Sequence, residues 1–331
     1  MPPRGVIGAL AAVAAVALSA CAPSVIPAGR PVAAPQVAPD RIVASDEAAL
    51  PLRRWLPATP ARAVIVAAHG FMDYSHAFAL PGDAWAKRGI ATWAWDQRGF
   101  GAAPHRGRWA GTATYVDDLA AILALARAAH PGVPVFVLGE SMGGAIAIVA
   151  AAEGRLDGCA GIILVAPAVV GRDAAGPVAS AIFSALAHTV PWLAGPTGTF
   201  IRPTDNPELL RQLANDPLIL RNPRLDMTWG LFELMGDAAD SGGALRLPTL
   251  LLLGARDPLV LKGPMRALID SLPPGGPDRR RVAVYTEGWH MLLRDLDAAR
   301  VHEDVASWVL SRQTDPALPL PSGADRAFAG G

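Results

Sequence analysis

The chain has only two cysteines, Cys21 and Cys159, in 331 residues. Two thiols cannot build a disulfide framework, and no Cys/His spacing suited to zinc occurs. Charge is also sparse: Asp, Glu, Lys and Arg make up 18% of the chain, and the formal net charge is zero. No basic run and no aromatic–basic interleaving is present, so no nucleic-acid partner is expected. There is no internal repeat. Apolar residues, by contrast, reach 52%. That is ample core material for one large α/β domain or two small ones.

From Gly5 to Ala22 no charged residue occurs. Residues 6–20 have the length of a signal-peptide apolar region and end in small residues, followed by Pro23 and Pro27. A permanent spanning helix needs about 20 apolar residues, so this run is marginal as one. Leu18-Ser19-Ala20-Cys21 resembles a bacterial lipoprotein lipobox. The resemblance implies cleavage before Cys21, lipidation of that residue and anchoring in the bacterial cell envelope, facing the periplasm or the surface. The alternative is a secretory signal with an incidental cysteine. Residues 1–20 are therefore expected to be a signal peptide. Residues 21–40, with prolines at 23, 27, 31, 35 and 39, are expected to be an extended tether. Residues 313–331, rich in Pro, Ala and Gly, are expected to be a disordered tail.

The body alternates strand and helix. Residues 41–44 and 50–56 could open with an antiparallel pair. Residues 63–68 are apolar throughout, as expected of a strand covered on both faces. Strands are also expected at 91–95, 133–138, 161–165, 250–253 and 281–285, with helices at 81–88, 115–130 and 301–312. This rhythm predicts an α/β fold: a mostly parallel, eight-stranded sheet with helices on both faces. The core is expected in two parts, 41–167 and 248–312. Residues 168–247 contain no clear strand, only apolar helical patches. Such an insertion is too long for a plain connection and is expected to form a helical lid. The alternative is a set of ordinary packing helices.

The most informative segment is Gly139-Glu140-Ser141-Met142-Gly143. It joins a β-branched run to an alanine-rich one, which places a serine on a sharp strand-to-helix turn. Glycines allow such a turn to pack back on itself. The helix N-terminus beside Ser141 would favour developing negative charge. The bland reading is a glycine-rich turn of an ordinary doubly wound sheet.

A nucleophilic serine needs a base, and the base needs an orienting acid. Of seven histidines, His290 lies just past an expected strand, where α/β sheets place chemistry. His302 is the rival, but its helical context reads as solvent-facing. Asp257 follows another strand and precedes His290, the chain order this architecture uses. Its alternative role is a turn carboxylate before Pro258. The oxyanion hole needs two backbone donors. Met142, directly after the serine, supplies one candidate, and Phe71 in the loop His69-Gly70-Phe71 the other. His69 reads as a structural hydrogen-bonder.

These segments occur in the order His69-Gly70-Phe71, Asp96-Gln97-Arg98-Gly99-Phe100-Gly101, Gly139-Glu140-Ser141-Met142-Gly143, Asp216-Pro217-Leu218, Gly254-Ala255-Arg256-Asp257 and Gly288-Trp289-His290. In that order they resemble the monoacylglycerol lipase and lysophospholipase branch of the α/β-hydrolase superfamily over residues 40–312. The resemblance implies Ser141 as nucleophile, His290 as base, Asp257 as orienter, and Phe71 and Met142 as oxyanion donors. It implies structural roles for Asp96 and Arg98, and a lid. It also implies ester hydrolysis through an acyl-enzyme, with no metal or organic cofactor, on single-chain lipids such as lysophospholipids or monoacylglycerols. Two rivals remain open: a short-ester, lactone or proline-releasing hydrolase on the same triad, and a non-catalytic surface lipoprotein.

Overall fold

A computed structural model describes residues 23–172, 176–195, 201–273 and 280–311. The expected signal peptide, the lipidation residue Cys21 and the expected tail lie outside the described residues. The strands are β1 (Gln36–Val37), β2 (Arg41–Val43), β3 (Ala49–Trp55), β4 (Ala63–Ala68), β5 (Ile90–Trp95), β6 (Val135–Glu140), β7 (Ile162–Val165), β8 (Thr249–Gly254) and β9 (Arg280–Tyr285). They form one sheet in the order β1-β2-β3-β5-β4-β6-β7-β8-β9. From β5 to β9 every neighbour is parallel, while β1, β2 and β3 are added antiparallel.

The sheet thus has nine strands where eight were expected. The extra one, β1, comes from the proline-rich stretch. That stretch is extended but not loose. The Ile26 amide donates to the Trp109 carbonyl at 2.8 Å, Gly29 to Asp46 Oδ2 at 2.7 Å, and Val32 to the Ser45 carbonyl at 2.7 Å. Proline spacing signals extended backbone, and it carries no information about whether the remaining amides find acceptors.

Eight α-helices cover the sheet among the described residues: α1 (Ala79–Lys87), α2 (Thr112–Ala129), α3 (Met142–Ala152), α4 (Pro177–Thr189), α5 (Pro207–Asn215), α6 (Leu225–Ser241), α7 (Lys262–Ser271) and α8 (Ala298–Ser311). Alternate residues of the central strands divide between two cores. Val64, Val66, Val137, Leu164 and Leu251 face the α2 and α3 side, while Ile65, Phe136, Ile163 and Leu250 face α1 and α8. This is the period-2 division of a sheet buried on both faces. On the second face Phe136 meets Trp308 edge to face at 5.6 Å.

The segment 168–247 holds three α-helices, one short 3-10 turn (Gly242–Ala244) and no strand among the described residues. They differ in placement. One face of α6 is core: Met227, Leu234 and Ala238 are fully buried in the cluster that contains α3. Gly230 lets α6 approach Trp109, where a Cβ would strike the indole ring. Helix α4 is peripheral, with Val178, Ile182 and Leu186 exposed at successive turns. The α6 layer arises because α3 is apolar on every face and must be covered on the side away from the sheet.

His302 corrects the reading of a solvent-facing residue. It is buried, its Nε2 bonds the Leu293 carbonyl at 2.8 Å, and its own carbonyl accepts from Trp85 Nε1 at 2.9 Å. Burial pushes its pKa down, so it is a neutral packing residue between α1 and α8.

Gly143 packs so closely on β4 that a Cβ would collide with the Ala68 carbonyl. Gly143→Ala is therefore expected to destabilise by about 1–3 kcal/mol, as overpacking does. For a domain of this size that is a fall of about 3–10 °C in melting temperature by calorimetry. An unchanged transition would mean that the turn can relax away from β4.

Candidate active site

Ser141 sits between β6 and α3 with φ 52° and ψ −113°. A non-glycine residue at positive φ is strained and persists only where its surroundings fix it. Here they do. Its amide donates to the Val165 carbonyl at 2.9 Å, and its carbonyl accepts from Ala168 at 2.9 Å and Ala145 at 3.1 Å. A Cβ on Gly139 would strike the Gly143 carbonyl, so the turn closes only with glycine there. Gly70 lies beside the serine: a Cβ built on it would be 3.3 Å from Ser141 Cβ.

Asp257 and His290 come from the loops after β8 and β9. The Ala255 amide donates to the Tyr285 carbonyl at 2.9 Å and the Arg256 amide to the Gly288 carbonyl at 2.9 Å, which draws these loops together. Asp257 Oδ1 accepts from the amides of Leu259 and Val260 at 2.7 and 3.0 Å. Its Oδ2 lies 2.8 Å from His290 Nδ1. Burial pushes the Asp257 carboxyl up, but His290 and the two amides outweigh burial and hold it below the ordinary carboxylate range. An ionised carboxylate only accepts, so His290 Nδ1 carries the proton and donates it. That leaves the Nε2 lone pair available as a base.

The loop after β4 supplies the first oxyanion candidate. Phe71 and Met72 form a turn in which the Asp73 amide donates to the Gly70 carbonyl at 3.3 Å, with Met72 at φ 67°. Met142 is the first residue of α3, where amides lack an intrahelical acceptor. His69 holds this loop and is not a base. The Gln97 amide donates to its Nε2 at 3.0 Å, so Nδ1 must carry the proton and donate to the Gly70 carbonyl at 2.8 Å. Complete burial pushes its pKa down and keeps it neutral.

Asp96 and Arg98 are also structural. Asp96 accepts from the Ser75 and Ala102 amides at 3.1 and 2.9 Å. Arg98 grips Asp46 at 2.7 and 2.9 Å and Asp118 at 2.7 and 3.1 Å. Asp216 ties the α5–α6 connection to the oxyanion loop. It accepts from Tyr74 Oη at 2.7 Å, while the Leu220 amide donates to the Met72 carbonyl at 2.9 Å.

The apolar residues of 168–247 divide three ways. Phe183, Trp229 and Phe232 pack on one another between α4 and α6, with ring centroids 5.4 to 5.8 Å apart. Leu234 is core, and Leu231 is half-buried against it. Leu186, Trp192 and Leu193 are exposed.

The sequence reading missed one cluster. Arg294, four residues after His290, is buried and reaches Asp73 Oδ2 at 2.6 Å and Glu140 Oε2 at 3.3 Å. Asp295 accepts from the Trp289 amide and Thr204 Oγ1, both at 2.7 Å. The available signal was a charged pair directly after the apolar run Met291-Leu292-Leu293, inside a loop that also carries His290.

A serine on a strained elbow, a carboxylate-oriented imidazole and two backbone donors define the serine hydrolases of the α/β-hydrolase fold. The chain belongs to the serine aminopeptidase, S33 family (Hydrolase_4), whose model matches residues 59–297. Among curated relatives it is similar to a monoacylglycerol lipase of Mycolicibacterium smegmatis, 26% identical over 260 residues, covering 78% of this chain and 91% of that protein. It is also similar to the human monoglyceride lipase, 28% identical over 291 residues, covering 85% and 93%. Among solved structures, the monoacylglycerol lipase of Paleococcus ferrophilus shares the fold at a TM-score of 0.66 and 21% identity, covering 79% and 98% of the two chains. A soluble variant of the Saccharomyces cerevisiae monoglyceride lipase aligns at 0.68 and 19%, covering 87% and 97%.

Asp257→Asn keeps the shape but removes the charge that fixes the His290 tautomer. It is expected to lower kcat on a soluble ester by about 10³–10⁴-fold with the fold intact. A loss under tenfold in folded protein would mean that another group orients the imidazole.

Proposed function

We propose that this chain is a serine carboxylic-ester hydrolase that acts through an acyl-enzyme on Ser141, with monoacylglycerols as its preferred substrates. The observation that carries the chemistry is the Asp257–His290 pair, whose protonation pattern leaves Nε2 as a base. In the first step Ser141 Oγ attacks the ester carbonyl while His290 Nε2 takes its proton. The carbonyl π electrons move to oxygen, and the amides of Phe71 and Met142 stabilise that oxyanion. Collapse expels the alcohol, glycerol for a monoacylglycerol, which receives the proton from His290. Water then attacks the acyl-enzyme with the same base, releasing the fatty acid and restoring Ser141. No step calls for a metal or an organic cofactor.

The substrate class rests on the monoacylglycerol lipase relatives. The family description names an aminopeptidase, so a proline-releasing peptidase is the reading to exclude. Lysophospholipids are the other single-chain candidates. Purified protein is expected to hydrolyse long-chain monoacylglycerols at least tenfold faster, in kcat/KM, than lysophosphatidylcholine or aminoacyl-4-nitroanilides. A higher kcat/KM on a prolyl nitroanilide would replace the lipase reading, and turnover of short esters alone would discard the lipid assignment.

We also propose that the mature protein is held in the cell envelope by lipid on Cys21, with α4 turned to the membrane. Among the described residues no helix is long and apolar enough to cross a membrane. The Ser24 amide donates to Asp226 Oδ2 at 3.4 Å, and the Asp226 amide to the Pro191 carbonyl at 3.1 Å. Ser24 therefore lies near Trp192 and Leu193, each 54% exposed. Three residue steps lead from Cys21 to Ser24, a reach of about 11 Å at most. A lipid on Cys21 would bring this apolar corner to the bilayer. Cys21→Ala expressed in a bacterial host is expected to leave the membrane fraction. Unchanged partitioning would remove the lipid anchor from this account.

A further inference from the structure

We propose that Arg294 is a positioning residue whose guanidinium clamps the oxyanion turn and the nucleophile elbow to the histidine loop, holding Phe71 and Met142 in register with Ser141. This rests on the reading of Ser141, Phe71 and Met142 given above. Arg294 touches two catalytic segments and belongs to a third. Asp73 closes the turn that contains Phe71, and Arg294 Nη2 holds its Oδ2 at 2.6 Å. Glu140 directly precedes Ser141, and the same nitrogen lies 3.3 Å from its Oε2. The Arg294 amide donates to the Met291 carbonyl at 2.7 Å, which folds the chain tightly just after His290.

The oxyanion turn needs such a holder. Met72 at φ 67° is strained, and strained turns persist only when fixed from outside. His69 fixes the start of the turn through the Gly70 carbonyl, and Leu220 fixes its middle through the Met72 carbonyl. Its end is fixed by the Asp73 carboxylate, which also accepts from the Tyr74 amide at 2.8 Å. Asp73 in turn depends on Arg294.

Charge makes the guanidinium hard to replace. Asp73, Glu140 and Arg294 are all buried. Burial pushes the Glu140 carboxyl up, and Arg294 opposes that shift. Without the cation, two buried carboxylates would face each other, and one would have to take up a proton or move away. The cluster is also not saturated: Arg294 Nε and Glu140 Oε1 have no protein partner among the described residues. Apolar side chains of similar volume fill such a space at least as stably as a buried ion pair. An incompletely bonded ionic clamp at the junction of three catalytic segments therefore points to alignment as its purpose.

The test compares wild type, Arg294→Lys, Asp73→Asn and the double variant on p-nitrophenyl butyrate. Melting temperature and the inhibition constant of an alkylboronic acid, which forms a tetrahedral adduct on serine, are measured in parallel. Misplaced oxyanion donors lower transition-state affinity and leave substrate binding alone. Each single variant is expected to lose about 10- to 100-fold in kcat, less than the removal of an oxyanion donor, with KM within about twofold. The boronate constant should rise by the same factor as kcat falls. The double variant should be no worse than the poorer single, because both break one link. If one single variant does not fold, the other carries the test. Folded variants with kcat within twofold of wild type would overturn the proposal, as would losses that multiply in the double variant. Failure of both singles to fold would make the cluster a stability device and overturn it as well. Wild type that hydrolyses the ester but gives no serine-directed labelling by a fluorophosphonate would instead sink the underlying serine-hydrolase reading.

Discussion

The strained backbone of Ser141 dictates how the strands, helices and loops around it are arranged. At φ 52° and ψ −113° a serine is out of its preferred range, and the turn holds only because every adjoining group is committed to it. Its amide and carbonyl are bonded to the β7 end and the following loop, and Gly139 and Gly143 remove the Cβ atoms that would block closure. This demands a central strand, β6, fixed on both sides by β4 and β7, and a helix, α3, buried almost throughout. A helix that is apolar all round needs covering on the side away from the sheet, and α6 supplies the cover. The segment that looks like an insertion in sequence is therefore partly a core layer over α3.

Around this elbow the polar groups fall into two kinds. Asp257 and His290 have a protonation state set by their partners, and that state leaves one imidazole nitrogen free to work. In His69, Asp96 and Arg98 each ring nitrogen, carboxylate oxygen and guanidinium nitrogen is engaged in holding loops. The distinction cannot be made by residue type, since His69 stands as close to the oxyanion loop as any base could. It is made by the Gln97 amide, a donor that occupies His69 Nε2 and thereby settles the tautomer.

Much of this was legible in the sequence, and the limits have physical causes. Runs apolar at every position, such as residues 63–68, announced strands buried on both faces. The glycine spacing around Ser141 announced the turn, and the positions of Asp257 and His290 after strands placed them at the same sheet edge. The β1 addition was not legible, because prolines mark extended backbone whether or not it is bonded. His302 was misread because its burial depends on Trp85, 217 residues away in sequence. The two-sided packing of α6 was missed because an apolar helical pattern fits a lid and a core layer equally well. Arg294 escaped because a buried arginine and a surface arginine look alike until their carboxylates are located.

An acyl-enzyme on Ser141 is open to direct observation by mass spectrometry of the protein acid-quenched during turnover of a long-chain monoacylglycerol. A fraction of the protein is expected to be heavier by one fatty acid less one water, with the increment on the peptide that carries Ser141, and no increment in Ser141→Ala. Steady turnover with no adduct at Ser141, or undiminished turnover by Ser141→Ala, would contradict it.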